Sequence, residues 1–410
     1  MSRTEYDEAK ECFEIAYDIY DRLMIKNSEA YDPDYARLCV NMGLLYTYRN
    51  EYDEAEKYYV QALKIYVELT NKDREAYEPD YATLCMNMGM LYMSVRQYDK
   101  ANGHYKQAYD IYCKLINKDP EAYNPNYARL CVNMGSLYME RTEYDKAKEW
   151  YMRAYDIYER LINKDFEAYK PDYAKLCMNM GGLCAYRTEY NEAKKWCMQA
   201  YYIYDKLIKK NPGVYNHDYM KLCMSIGALY MGVGEYEEAK KYCEQAYKTY
   251  LPEPDNPDYA TLYVNMGSLY EAIDEYDEAE KYYKQAYNIY DKLIKINFAA
   301  YAPDFAESCN NLWSLYDDLD RDEEAEKYVK QACDIYKPLA ESCPEIYEEK
   351  LATTLATLAY ATALSEKMEE AKGYCCEALE VINKIRQRGG SAEELEQNVK
   401  ELLEMLNEEE

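Results

Sequence analysis

Two histidines, His104 and His217, are the whole supply of imidazole in this 410-residue chain. Imidazole is the commonest general acid or base, so an enzyme site would be sought there first. The surrounding sequence recurs, however, and each histidine falls where sister copies carry another residue. Both therefore read as tolerated variation rather than as a base or a metal ligand. Fifteen cysteines could bind metal, pair as disulfides or act as nucleophiles. Cys39, Cys85, Cys131, Cys177 and Cys223 follow one another at an interval of 46 residues. Equivalent positions on stacked helix pairs lie on the order of 10 Å apart, beyond the reach of a disulfide. These thiols are expected to be small buried hydrophobes in a reducing compartment. Cys375 and Cys376 have no second set of ligands beside them. No Ser or Cys sits in a recognisable nucleophile motif, and neither a P-loop nor G-x-G-x-x-G occurs. The residues predict no catalytic site, no metal and no cofactor. Cys184 and Cys197 replace two core tyrosines and should face each other across a helix pair, either as compensating small residues or as a redox-sensitive disulfide.

What does recur is the chemistry of reversible contact. Asn41, Asn87, Asn133, Asn179, Asn265 and Asn311 occupy one address in successive copies. A side-chain amide both donates and accepts, so a row of them could hold the main chain of an extended peptide whatever its sequence, or bond to the neighbouring copy. Four residues before this address lie Arg37, Arg129, Lys175 and Lys221, with Thr83, Thr261 and Glu307 in other copies. In a chain of net charge −28 such cations could meet acidic side chains or a terminal carboxylate of a bound segment, or simply neutralise nearby carboxylates. Val40, Met86, Val132, Met178, Met224 and Val264 directly precede the amide or its equivalent and are expected to form an apolar floor.

The elements that must position these residues follow from the repeat. Gly43, Gly89, Gly135, Gly181 and Gly227 are spaced by 46 residues; Gly267 comes after 40, and the frame resumes through Trp313 and Ala359. The short step falls at "KTYLPEPDNPDYA". Alanine recurs 12 residues after each of these positions (Ala55 to Ala371) and again 19 after (Ala62 to Ala378). The residue 16 after is aromatic at Tyr59, Tyr105, Tyr151 and Tyr283. Tyr35, Leu38, Met42, Leu45 and Tyr46 mark one face of a first helix, A. Tyr52, Ala55, Tyr59, Ala62, Tyr66 and Leu69 mark one face of a second, B. Pro33 is expected in the first turn of helix A, "YRNEYD" as the turn to B, and "NKDREAYEPD" as the connection to the next pair. A small residue on A facing two alanines on B should let the backbones approach, with tyrosines packed around the contact. Most of the 54 tyrosines have such a repeat address and belong to packing.

With Cys for Trp, Met for Leu and Tyr for Phe, this pattern resembles W-x2-L-G-x2-Y…A-x3-F-x2-A of the tetratricopeptide repeat. The long unit and the "EAYEPDYA" connection are similar to the subclass found in kinesin light chains. The resemblance implies an all-α fold, a right-handed α-solenoid superhelix of antiparallel helix pairs. A half repeat should occupy 4–25, followed by pairs at 33–78, 79–124, 125–170, 171–216, 217–256, 257–302, 303–348 and 349–390. Residues 1–390 would form the solenoid and 391–410 a capping helix. The resemblance further implies a non-enzymatic scaffold whose A helices line a concave groove, with the Asn row holding peptide as in peptide-binding members. A different reading joins the unpaired first helix to another copy's end, giving a head-to-tail homo-oligomer in filaments, tubes or rings.

Charge narrows the partners. Lys and Arg are interspersed among a larger number of Asp and Glu, so no broad basic face can gather the phosphates of nucleic acid, and anionic membranes are disfavoured. No apolar run approaches membrane-spanning length, and "MSRTEYDEAK" lacks the apolar core of a signal peptide. Protein or peptide partners, some with acidic groups, and a soluble cytoplasmic location are expected, with a leaderless export route left open.

Overall fold

The computed structural model describes residues 3–211, 213–249 and 256–408, and among these every regular element is a helix. The chain forms two compact units, Met1–Leu229 and Tyr230–Glu410. The first holds α1 (Arg3–Tyr48), α2 (Tyr52–Lys72), α3 (Arg74–Ser94), α4 (Tyr98–Lys118), α5 (Pro120–Glu140), α6 (Tyr144–Lys164), α7 (Phe166–Tyr186) and α8 (Tyr190–Lys210). Helix α9 (Asn216–Gly232) crosses the boundary. The second unit holds α10 (Tyr236–Thr249), α11 (Pro257–Glu271), α12 (Tyr276–Ile296), α13 (Phe298–Asp318), α14 (Asp322–Ser342), α15 (Pro344–Leu364), α16 (Met368–Gln387) and α17 (Glu393–Glu408). Within each unit consecutive helices pack as A–B pairs, and the B helices α2, α4, α6, α10, α12, α14 and α16 pack on the helix that follows. The architecture is an all-α solenoid, as expected.

The turn from A to B is a repeated C-cap. In the first pair Asn50 N–H donates to the Thr47 carbonyl at 3.1 Å, and Glu51 N–H to the Tyr46 carbonyl at 2.9 Å. These two bonds are a Schellman motif, which needs a left-handed residue just past the helix. Asn50, Arg96, Thr142, Thr188, Asp274, Asp320 and Glu366 all take that conformation, and Gly234 takes it in the turn before α10. A β-branched residue is poorly suited there, because its Cβ crowds the carbonyl. Thr188→Gly should therefore stabilise the α7–α8 pair by about 1 kcal/mol. A higher urea midpoint, with slower hydrogen exchange in these two helices, is the expected result; a lower midpoint would mean the turn has another geometry.

The connection from B to A differs from the sequence expectation. "NKDREAYEPD" is not a loop: a single residue, Asp73, separates α2 from α3, with φ −143° and ψ 95°. Its carboxylate accepts from Ala76 N–H at 3.1 Å and so caps the new helix. Asp119, Asp165 and Asn297 repeat the arrangement with Ala122, Ala168 and Ala300. Asn27 breaks α1 at the equivalent point, with φ −161° and ψ 86°. The capping residue consequently lies six residues before the proline, which falls inside the helix at Pro33, Pro79, Pro125, Pro171 and Pro303. The proline forfeits one hydrogen bond to a carbonyl of the first turn, where that oxygen can tilt toward water. The short step is carried by helices of 14 (α10) and 15 residues (α11) in place of 21 (α12), while 250–255 of "KTYLPEPDNPDYA" lie outside the described residues.

The core corrects one packing detail. Glycine on A faces not the alanines but the edge of a B-helix ring: a Cβ on Gly43 would lie 2.5 Å from Tyr59 Cε1, and one on Gly135 would lie 2.3 Å from Tyr151 Cε1. The ring occupies the volume a side chain would need. Where the A residue is larger, at Trp313 and Ala359, the residue 16 later is Val329 and Cys375, both fully buried. In these two pairs size on one helix is traded against size on the other, whereas Gly181 meets the smaller Cys197. A second tyrosine of A stacks on the B residue 12 positions on, as in Tyr46–Tyr58 with centroids 5.4 Å apart and planes 6° apart.

Candidate functional site

A helix clasped between its own B partner and the preceding B helix can leave only one narrow stripe open. On α1 that stripe is Arg37, Asn41, Leu44 and Tyr48, stepping by four, three and four residues along one side of the helix. On α5 it is Arg129, Asn133, Ser136 and Glu140, and on α7 it is Lys175, Asn179, Gly182 and Tyr186. Neighbouring A helices touch, α1 with α3, α3 with α5 and α5 with α7, so in the first unit these stripes lie side by side. The second unit repeats the arrangement between α11 and α13, which carry Asn265 and Asn311.

The amide row therefore occupies the middle of the open stripe, although not uniformly. Asn41 is exposed, Asn133, Asn179, Asn265 and Asn311 are half-buried, and Asn87 retains only 8 % of its surface. Asn179 Nδ2 approaches Ser136 Oγ of the preceding A helix at 3.5 Å, the long limit of a hydrogen bond.

The cationic row lies at one end of the stripe. Arg37 is exposed and makes long contacts of 3.7 Å with Asp34 on its own helix and Asp80 on α3, the next A helix. Arg129 and Lys175 are exposed, and Lys221 is half-buried. The threonines at this address bond instead to a deep B-helix tyrosine: Thr83 Oγ1 lies 3.2 Å from Tyr112 OH, and Thr261 Oγ1 lies 3.2 Å from Tyr290 OH.

The expected apolar floor is largely absent from this surface. Val40, Met86, Val132 and Met224 are buried, while Met178 and Val264 are half-buried. One residue is about 100° around a helix, which turns this position from the stripe into the core. The open apolar groups are others, Leu44, Met90, Tyr48 and Tyr186, which the sequence reading missed. Stepping outward from the Asn by three and seven residues would have found them.

In the second unit the character of the stripe changes. Helix α13 presents Glu307, Asn311, Ser314 and Asp318, and α15 presents Thr353, Thr357, Tyr360 and Leu364. On α11, Glu271 accepts from Tyr283 OH at 2.5 Å, and burial followed by the nearby Asp318 raises its pKa.

The residues considered for chemistry have packing roles. His104 takes the place of a stacking tyrosine, 5.4 Å and 10° from Tyr92, and burial lowers its pKa. Its Nδ1 is enclosed without a hydrogen-bond partner. His217 is the second residue of α9. Cys184 and Cys197 are both buried free thiols, and Cys197 Sγ fills the space beside Gly181 that a ring fills elsewhere. Burial, with Cys184 close by, pushes the Cys197 thiol up to about 12. Among the described residues no group of three His, Cys, Asp or Glu side chains could hold a metal, and no helix is long and apolar enough to cross a membrane.

Two family models described as Tetratricopeptide repeat match the sequence, one over residues 34–114 and 221–292 and the other over 128–160 and 306–338, together just over half of the chain. No curated protein matches it. Among solved structures, the apo form of RapI is similar at 14 % identity and a TM-score of 0.54, over 75 % of this chain and 99 % of that one. The APC/C heterotetramer Cut9–Hcn1 is similar at 13 % identity and a TM-score of 0.47, over 90 % and 76 %. The nearly identical TPR-like repeats of a Podosopora anserina protein of the kinesin light chain type give 15 % identity and a TM-score of 0.42, over 52 % and 96 %. At these identities the likeness concerns the fold alone.

Proposed function

The chain belongs to the tetratricopeptide repeat family, and from that premise we propose that it is a non-catalytic scaffold that holds extended segments of other proteins along the open stripes of its A helices. The observation that supports this reading is the placement of Asn41, Asn133 and Asn179 on the A helices α1, α5 and α7 of the first unit, one turn from Arg37, Arg129 and Lys175. An extended main chain offers alternating donors and acceptors that amides can match without reading sequence. The cations beside them favour a partner whose acidic side chains or terminal carboxylate lie toward the first unit.

Replacing Asn41, Asn133 and Asn179 together by alanine tests the proposal. At about 1 kcal/mol per lost hydrogen bond, affinity should fall on the order of a hundredfold. Crosslinking mass spectrometry in source-cell extract should show the captured segments lost from the triple variant, with helicity unchanged by circular dichroism. Undiminished capture would refute the role of the amides. The exposed Ile15, Ile19 and Ile25 on the first half of α1 favour end-to-end joining as a second reading. Under it, negative-stain images should show filaments or tubes that grow with concentration; uniform short particles would exclude it.

A further inference from the structure

The exchange of glycine for Trp313 in α13 has a counterpart on the surface. Beside the indole lies an open cavity of about 310 Å³ among α13, α15 and α17. Trp313, Ala356, Tyr360, Leu395, Val399 and Leu402 supply its apolar wall, and Asp317, Asn398 and Thr357 lie at its polar edge. Three departures from the repeat coincide here. The glycine becomes Trp, the stripe asparagine becomes Thr357, and α17 follows α16 in the place of another A helix. Tyr360 is 44 % exposed and Leu364 42 %, so the apolar surface continues outward from the cavity. Trp313 Nε1 is enclosed with no acceptor.

We propose that this cavity is an anchor site for one bulky apolar side chain of a partner protein, in a segment whose neighbouring residue is Lys or Arg. The volume suits one such side chain, since a dry cavity of about 150 Å³ already accommodates benzene. The cation follows from the rim. Asp317, Asp318, Asp320 and Asp322 cluster at the end of α13 and the start of α14, and no ion pair among the described residues reaches Asp317. Burial, then the three neighbouring carboxylates, raises the Asp317 pKa, as befits an acid with no cation beside it. Arg321, the nearest cation in sequence, is engaged by Glu280 and Glu324. A Lys or Arg next to the anchor would relieve this repulsion, and a Glu would add to it. The site's chemistry is thus opposite to that of the first unit, where cations line the stripe.

The inference rests on the scaffold reading but can fail separately from it. The probe is an array of ten-residue peptides in a Gly-Ser background. Its central position varies over Leu, Ile, Met, Phe, Trp and Ala, and its flanks over Lys, Ser and Glu. Binding of the full chain should concentrate on apolar centres with Lys flanks, at least tenfold above Ala centres or Glu flanks. Asp317→Asn should flatten the preference for Lys while keeping that for the apolar centre. Ala356→Phe, which fills the cavity, should abolish the latter with helicity retained. The triple asparagine variant of the first unit should leave the array pattern unchanged, which separates the two proposals. No preference for apolar centres, a preference for Glu flanks, or full binding by Ala356→Phe would each overturn the inference. Self-association abolished by Ala356→Phe would assign the cavity to a second copy instead.

Discussion

Gly135→Leu is expected to destabilise the α5–α6 pair by about 3 kcal/mol or more, at the upper end of what overpacking costs. The first added carbon would already lie 2.3 Å from Tyr151 Cε1 and 2.4 Å from Cδ1. Tyr151 cannot readily yield, because it is buried and its hydroxyl lies 3.2 Å from Ser136 Oγ. Either the ring leaves that position or the two helices part. Urea unfolding followed by circular dichroism, with hydrogen exchange resolved by helix, should show the loss centred on α5 and α6, since each pair depends chiefly on its neighbours. A loss below about 1 kcal/mol would contradict this packing. The pairs Trp313–Val329 and Ala359–Cys375 supply a sharper form of the test. Gly135→Ala combined with Tyr151→Cys should cost at least about 1 kcal/mol less than the sum of the two single changes, because the smaller side chain vacates the space the methyl needs.

Tyr158→Ala should cost about 3–5 kcal/mol, the range for emptying an aromatic site in a core. Tyr158 is almost completely buried. Burial first, and then Asp172 on α7, raise its pKa, while Arg129 on α5 lowers it. The hydroxyl therefore lies near charged groups of its own pair and of the next. Tyr66 on α2, influenced in the same way by Asp80 and Arg37, occupies the equivalent place two pairs earlier. Because the ring connects neighbouring pairs, its removal should weaken coupling as well as stability, and the unfolding transition should broaden. Tyr158→Phe should cost at most about 1 kcal/mol, because the packed ring remains. Equal losses for Phe and Ala would show that the hydroxyl, not the ring, holds the pairs together.

The distance between sequence and structure is clearest at the joints. Pro79 suggested a helix start because proline fits the first turn, yet Asp73 begins the helix six residues earlier. The signal was present, since Asn27, Asp73, Asp119, Asp165 and Asn211 recur at 46 residues. A capping residue and a tolerated proline within one segment are hard to rank without knowing how the helix packs. The candidate site divides similarly. The Asn row was visible as a row, but the burial of Asn87 and the turning of Met86 into the core depend on how the helix is rotated between its neighbours.

By itself the sequence determined the period, the pairing of helices and the family, because these follow from local propensity and from small residues recurring in fixed register. Only the tertiary structure decided which stripe of each A helix stays open, that a tyrosine ring stands in the place of the missing glycine side chain, and that Trp313 lies beside a cavity with α15 and α17. Those outcomes depend on helix rotation and on residues far apart in the chain, and the space left between packed helices has no local signature in the residues that border it.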